Sequence, residues 1–141
     1  MNKIRMLIID DAPEALDFIK CNIDAQECDL EFEIDFETSF ISENTVFDYD
    51  VYVIDDMFLG TSRSVDITRE IREHDADAKV FIMSGEACGK TLRDLINLRV
   101  DGFIDKDDIE IEPLIKVCES IVVFKKQVKR LNTKMTKLFK M

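Results

Sequence analysis

Four short apolar runs, Lys3–Ile9 and residues 51–54, 79–83 and 102–104, stop at or just before side chains that carry chemistry: Asp10 and Asp11, Asp55, Ser84 and Lys106. Helical patterns separate them. After the first run come Pro13, at a helix start, and then Ala15, Leu16, Phe18, Ile19 and Ile23 at helical spacing. Residues 30–36 alternate strictly, with Leu30, Phe32, Ile34 and Phe36 on one face and Glu31, Glu33 and Asp35 on the other, so this strand has one solvated face and belongs at a sheet edge. The unbroken run at 51–54 suits a strand buried on both faces. Helices are expected over 38–47, where Phe40, Ile41 and Val46 carry a diluted pattern, over 65–72 and 87–98, and from Pro113 onward. Five strands alternating with five helices through short connections predict an α/β, doubly wound five-stranded parallel sheet. Such sheets hold ligands outside the carboxyl ends of their strands.

A chain of 141 residues makes one compact domain, and 46% hydrophobic with 35% charged residues excludes intrinsic disorder. No apolar run is long enough for a membrane span, and the run at Leu7–Ile9 is too short for a signal peptide, so a cytoplasmic protein is expected. Cys21, Cys28, Cys88 and Cys118 form no CxxC pair, and His74 is the single histidine; all four cysteines read as reduced thiols in or near the core. The net charge is -11, unevenly spread: residues 125–141 carry seven basic residues and no acid, so residues 1–124 net -18. So acidic a body disfavours nucleic-acid and anionic-lipid binding.

No glycine-rich phosphate loop follows the first run, which disfavours a dinucleotide or P-loop site. Several carboxylates, a hydroxyl and an ammonium at one rim are a different set. Crowded carboxylates call for a hard divalent cation such as Mg²⁺. A carboxylate can also attack phosphorus, with a metal, a lysine and a hydroxyl around the developing charge. Taken singly, Asp10 and Asp11 read as a solvated strand end, Ser84 as a helix N-cap and Lys106 as a surface lysine. Their order at successive strand ends gives them weight together. Adjacent strand residues point to opposite faces, so only one of Asp55 and Asp56 occupies the rim, and Asp55 ends the apolar run directly.

Residues 6–13 (MLIIDDAP), 50–55 (DVYVID), 80–85 (VFIMSG) and 101–106 (DGFIDK) resemble the four strand-end motifs of the receiver domains of two-component response regulators. The resemblance covers residues 3–124. It implies a flavodoxin-like strand order 2-1-3-4-5 and makes Asp55 the acceptor of a phosphoryl group from a histidine kinase or histidine phosphotransfer protein. It further implies Mg²⁺ held by Asp10, Asp11, Asp55 and the Met57 backbone carbonyl, Lys106 paired with Asp55, Ser84 donating to a phosphoryl oxygen, and Phe103 at the switch aromatic position. The activity implied is self-catalysed phosphotransfer and dephosphorylation, with no metabolic reaction, and the output is a shifted surface read by a protein target or fused output domain. Asp107 and Leu59 stand where the family usually has prolines, and the segment Thr61, Ser62, Arg63, Ser64 is one residue longer than typical. Those departures motivate the alternative of a receiver-like interaction module that works without phosphate. A phosphohydrolase of the haloacid dehalogenase type needs a second aspartate at the position of Met57, which disfavours it.

From Pro113, the apolar positions Leu114, Val117, Ile121, Phe124, Val128, Leu131, Met135 and Leu138 step by three and four in strict alternation. Ile115, Cys118 and Val122 widen the first half into a face suited to the sheet; beyond Phe124 only the narrow seam remains. The expected division is a receiver-like body over residues 1–124 and a basic helical extension over 125–141. The extension is expected to pair with a second copy as a parallel homodimeric coiled coil.

Overall fold

The computed structural model describes residues 2–39, 45–56, 63–85 and 89–140. The elements are β1 (Lys3–Ile9), α1 (Pro13–Asp24), β2 (Glu31–Glu37), β3 (Val51–Asp55), α2 (Ser64–His74), β4 (Lys79–Ser84), α3 (Gly89–Asn97), β5 (Gly102–Asp105) and α4 (Glu112–Phe139). All strand pairs are parallel, as the sequence predicts, and their order is β2-β1-β3-β4-β5, as the family resemblance implies. The alternating β2 lies at the edge, its acidic residues Glu31, Glu33 and Asp35 exposed and Phe32, Ile34 and Phe36 half-buried.

The period of two along each central strand divides the core into two layers. Ile4, Met6, Ile8, Val51, Val53, Phe81 and Met83 pack on one face with Ile19 and Ile23 of α1 and Leu114, Ile115, Cys118 and Val122 of α4. Leu7, Ile9, Tyr52, Ile54, Val80 and Ile82 pack on the other with Ile67 and Ile71 of α2 and Leu95 of α3. Continuous apolar runs are therefore what β1, β3 and β4 require, since both of their faces are covered. Arg72, near the end of α2, donates to the carbonyls of Ala78, Leu98 and Arg99 and ties that helix to the approaches to β4 and β5.

Gly102 opens β5 against the Phe81 ring: a Cβ there would sit 2.6 Å from Phe81 Cε2, and that ring is fully buried. Gly102→Ala is expected to destabilise the fold by about 1–3 kcal/mol through overpacking. The check is a lower denaturant midpoint at unchanged slope; an unaltered midpoint contradicts this packing.

Three sequence expectations are corrected. Four helices, not five, occur among the described residues: Thr38, Ser39 and Thr45–Phe47 of the expected helix over 38–47 are not helical, and 40–44 lie outside the described residues. Phe47 instead stacks its ring on His74, with centroids 4.1 Å apart. Phe18 is 60% exposed, because the inward stripe of α1 runs through Ile19 and Ile23 and leaves position 18 on its flank. Cys21 is likewise exposed, two residues from each of those inward positions, whereas Cys28 is half-buried and Cys118 buried, its thiol pushed up to about 12 by burial. Cys88 lies outside the described residues.

Candidate functional site

Register brings the strand ends to one rim. Ile9 is level with Ile54, Asp55 with Met83, and Ser84 with Asp105. Asp10 and Asp55 thus leave adjacent strands one step beyond a shared pair. The Lys106 N–H donates to the Ser84 carbonyl at 3.1 Å, which extends the β4–β5 ladder and delivers the lysine to the same rim. Its neighbour Asp107 donates its N–H to Asp105 Oδ1 at 2.9 Å, an Asx turn that a proline could not make because it has no N–H.

Asp10, Asp11 and Asp55 each offer a carboxylate oxygen, all within 4.8 Å of one another; Asp10 and Asp55 are buried and Asp11 exposed. Lys106 Nζ lies 2.5 Å from Asp55 Oδ1. The Asp10 carboxylate accepts the Ala12 N–H at 2.9 Å, which holds it at the turn into α1. Beside these groups opens a cleft of about 340 Å³, lined also by Ala12, Ala15, Phe18, Met83 and Ile109. Ser84 Oγ is buried and has no hydrogen-bond partner among the described residues. A buried hydroxyl without a partner is costly, and this one stands at the end of the strand beside Asp55.

Asp56 goes elsewhere. Its backbone N–H donates to the Met83 carbonyl, and its carboxylate accepts the hydroxyl of Ser64, the first residue of α2, at 2.6 Å. Pleat alternation therefore separates the two aspartates as the sequence requires, Asp55 in the site and Asp56 in a buried helix-end contact, a role that sequence reasoning did not assign. The side chain of Phe103 is 41% exposed on β5. Met57, Leu59, Thr61, Ser62, Glu86 and Cys88 lie outside the described residues.

Three carboxylates facing one lysine leave excess negative charge. Burial, followed by the nearby charge of Asp55, raises the Asp10 carboxyl from 3.8 to about 6, against the opposing pull of the Ala12 N–H and Lys106. Between those values the folded chain holds a proton on Asp10 that the unfolded chain has released, so the stability of the cation-free chain falls as pH rises through this window. Divalent-cation affinity should do the opposite, weakening steadily as pH drops below about 6 and Asp10 protonates. Calorimetric titrations of Mg²⁺ across this range check it; affinity constant down to pH 4 would contradict it. Hard oxygen donors, two of them buried, fit a divalent ion that uses carboxylates together with water and phosphate oxygens.

No protein-family model and no curated protein matches the sequence. Solved structures do match the fold. A response regulator receiver domain from Clostridium thermocellum is similar at TM-score 0.66 and 21% identity, over 89% of this chain and 98% of that one. The fold is that of a response regulator receiver domain. A CheY-like receiver domain from Methanospirillum hungatei gives TM-score 0.62 at 17% identity, over 88% of this chain and 97% of that one. A Burkholderia pseudomallei response regulator, whose structure contains a phosphorylated aspartic acid, a calcium ion and citrate, gives 0.65 at 11% identity, over 92% and 74%. Within the receiver fold, the acidic cluster lies at the carboxyl ends of β1 and β3, two adjacent inner strands of the sheet.

Proposed function

We propose that the chain is a phosphorylation-dependent signalling switch of two-component type, in which Asp55 accepts a phosphoryl group with Mg²⁺ bound beside it. The observation that carries this reading is the conjunction of Asp55, its lysine partner at 2.5 Å, two further carboxylates and the Ser84 hydroxyl, which has no partner among the described residues, at one rim. A carboxylate oxygen of Asp55 attacks phosphorus, the bond from phosphorus to the donor breaks, and the donor leaves with that electron pair and takes up a proton. The product is an acyl phosphate. Asp10, Asp11 and Asp55 would hold Mg²⁺, with the Met57 carbonyl as a further ligand implied by the family resemblance; when bound, the ion neutralises charge on the transferring oxygens.

Lys106 already lies against Asp55 and balances its charge, so it follows that charge onto the phosphoryl oxygens. Ser84 supplies a hydrogen-bond donor, a hydroxyl that has no partner among the described residues. Drawing Ser84 inward alters the end of β4, next to β5 and the exposed Phe103, and this is the route by which a phosphoryl group changes the outer surface. The donor in this reading is a histidine kinase or a histidine phosphotransfer protein, and the output is a protein target or fused output domain. The chemistry is confined to Asp55, with slow hydrolysis of the acyl phosphate and no metabolic substrate. A cytoplasmic location is part of the reading, since that compartment keeps thiols such as Cys28 and Cys118 reduced. Among the described residues no helix is long and apolar enough to cross a membrane.

Intact mass after incubation with a small phosphodonor tests the reading. With Mg²⁺ the chain should gain one phosphoryl group, and with the cation chelated none. A chain that binds Mg²⁺ yet gains no phosphoryl group from the small donor or a phosphorylated histidine protein is instead the phosphate-independent interaction module.

A further inference from the structure

The 28-residue α4 is one continuous helix, about 42 Å long, whose first half lies on the sheet and whose second half does not. Leu114, Ile115, Cys118 and Val122 are buried, whereas from Val123 onward the apolar side chains are exposed, with Phe124, Leu131 and Leu138 each at least 60% open. Lys125 marks the departure: its ammonium pairs with Asp50 Oδ1 at 2.7 Å, just before β3, at the end of the sheet opposite Asp55.

We infer that this outer half of α4 docks along a second copy of the same chain as a parallel two-stranded coiled coil. Four observations favour that occupant. The exposed stripe repeats at alternating steps of three and four, so it matches its own copy under two-fold symmetry. With Ile121, Val128 and Met135 at the first core position of each heptad and Phe124, Leu131 and Leu138 at the second, two of the three first positions are β-branched and two of the three second positions are leucine, and Val128 with Leu131 makes the full pair that favours two parallel strands. The stripe is also continuous with the half-buried Val117 and Ile121 on the flank of the body, so the seam can begin where the helix leaves the sheet.

The fourth observation is the placement of charge. Positions flanking the seam would bring Gln127 against the partner's Asn132 and Lys134 against the partner's Phe139, with no like-charge pair among the described residues. Lys126, Lys129, Arg130, Lys137 and Lys140 fall on the outward side, where they remain hydrated. A helix built to lie on an anionic membrane needs a wider apolar face than this, and its body of net charge -18 would be repelled. The contact lies far from the phosphoryl site and does not depend on it.

Sedimentation equilibrium of the full chain tests the inference. The expected mass is twice that of the chain and the same at low and high salt, while Leu131→Lys halves it and leaves the thermal unfolding of the body in place. A position-specific cross-link tests the register: Leu131→Cys should join two copies on oxidation, identified by the linked peptide, and Arg130→Cys on the outward side should not. A full-length chain that stays monomeric at high concentration overturns the inference. So do a dimer that survives Leu131→Lys, a dimer that salt disperses, which would point to basic helix against acidic body, and a cross-link through Arg130→Cys in preference to Leu131→Cys.

Discussion

Exchanging Asp55 for asparagine is expected to remove the phosphoryl adduct altogether, and exchanging the adjacent Asp56 is expected to leave it in place. The two residues are equally buried, so burial does not distinguish them. Direction does. Asp55 faces Lys106 and the carboxylates of Asp10 and Asp11, and an amide there keeps the shape while lacking the nucleophilic oxygen and the charge that would hold a cation. Asp56 instead accepts the Ser64 hydroxyl at the start of α2. An amide oxygen still accepts that bond without the charge that strengthens it, so Asp56→Asn should cost about 1 kcal/mol of stability and no phosphorylation. Intact masses of the three proteins, incubated in parallel with a small phosphodonor and Mg²⁺, check this. An adduct retained by Asp55→Asn and lost by Asp56→Asn would reverse the assignment.

The second large effect is expected at Lys106. Its ammonium pairs with Asp55, and its side chain is 37% exposed while that of Asp55 is 3% exposed. Breaking a fully buried pair costs about 3–5 kcal/mol, and solvent at the lysine end lowers this to about 2 kcal/mol for Lys106→Ala. The same substitution removes a positive charge from beside the cation site, so Mg²⁺ should bind about tenfold more tightly. The two effects are linked: Mg²⁺ should restore most of the lost stability, because it supplies the charge the lysine supplied. Thermal unfolding with and without Mg²⁺, together with calorimetric titration, measures both. Equal stability of the two metal-free proteins, or weaker Mg²⁺ binding by the variant, would contradict the electrostatic account.

The sheet was legible in the sequence because its central strands are covered on both faces. That demand writes itself as runs such as Leu7–Ile9 and Val51–Ile54, and the half-solvated β2 as strict alternation. Helices were legible where a stripe must meet the sheet, as in α2 and the first half of α4. Over 38–47 the apolar residues were too few to set a period, and Phe47 found an aromatic partner in His74 that only tertiary structure supplies. Phe18 misled for the opposite reason: it neighbours the inward Ile19, and helical spacing alone does not separate an inward position from the flank that borders the cleft.

Of the candidate site, the identities of Asp10, Asp11, Asp55, Ser84 and Lys106 could be read from strand ends, because parallel register carries successive strand ends to one rim. What the sequence could not display is how each group is engaged. The burial that raises Asp10, the burial of the Ser84 hydroxyl, and the bond that takes Asp56 to Ser64 all arise from neighbours distant in the chain. The Asx turn at Asp105–Asp107, closed by the N–H of Asp107 where the resemblance leads one to expect a proline, likewise flanks Lys106 in a way the sequence did not display.

The measurement that bears most directly on the central claim is the location of the phosphoryl group. Borohydride reduces an acyl phosphate to an alcohol and leaves phosphate esters intact, so peptide mapping of the reduced, phosphorylated chain reports both the residue and the bond type. The account predicts a single aspartate converted to its alcohol, at Asp55. Conversion at any other carboxylate, or a phosphate that resists reduction because it sits on a hydroxyl such as Ser84, would contradict it.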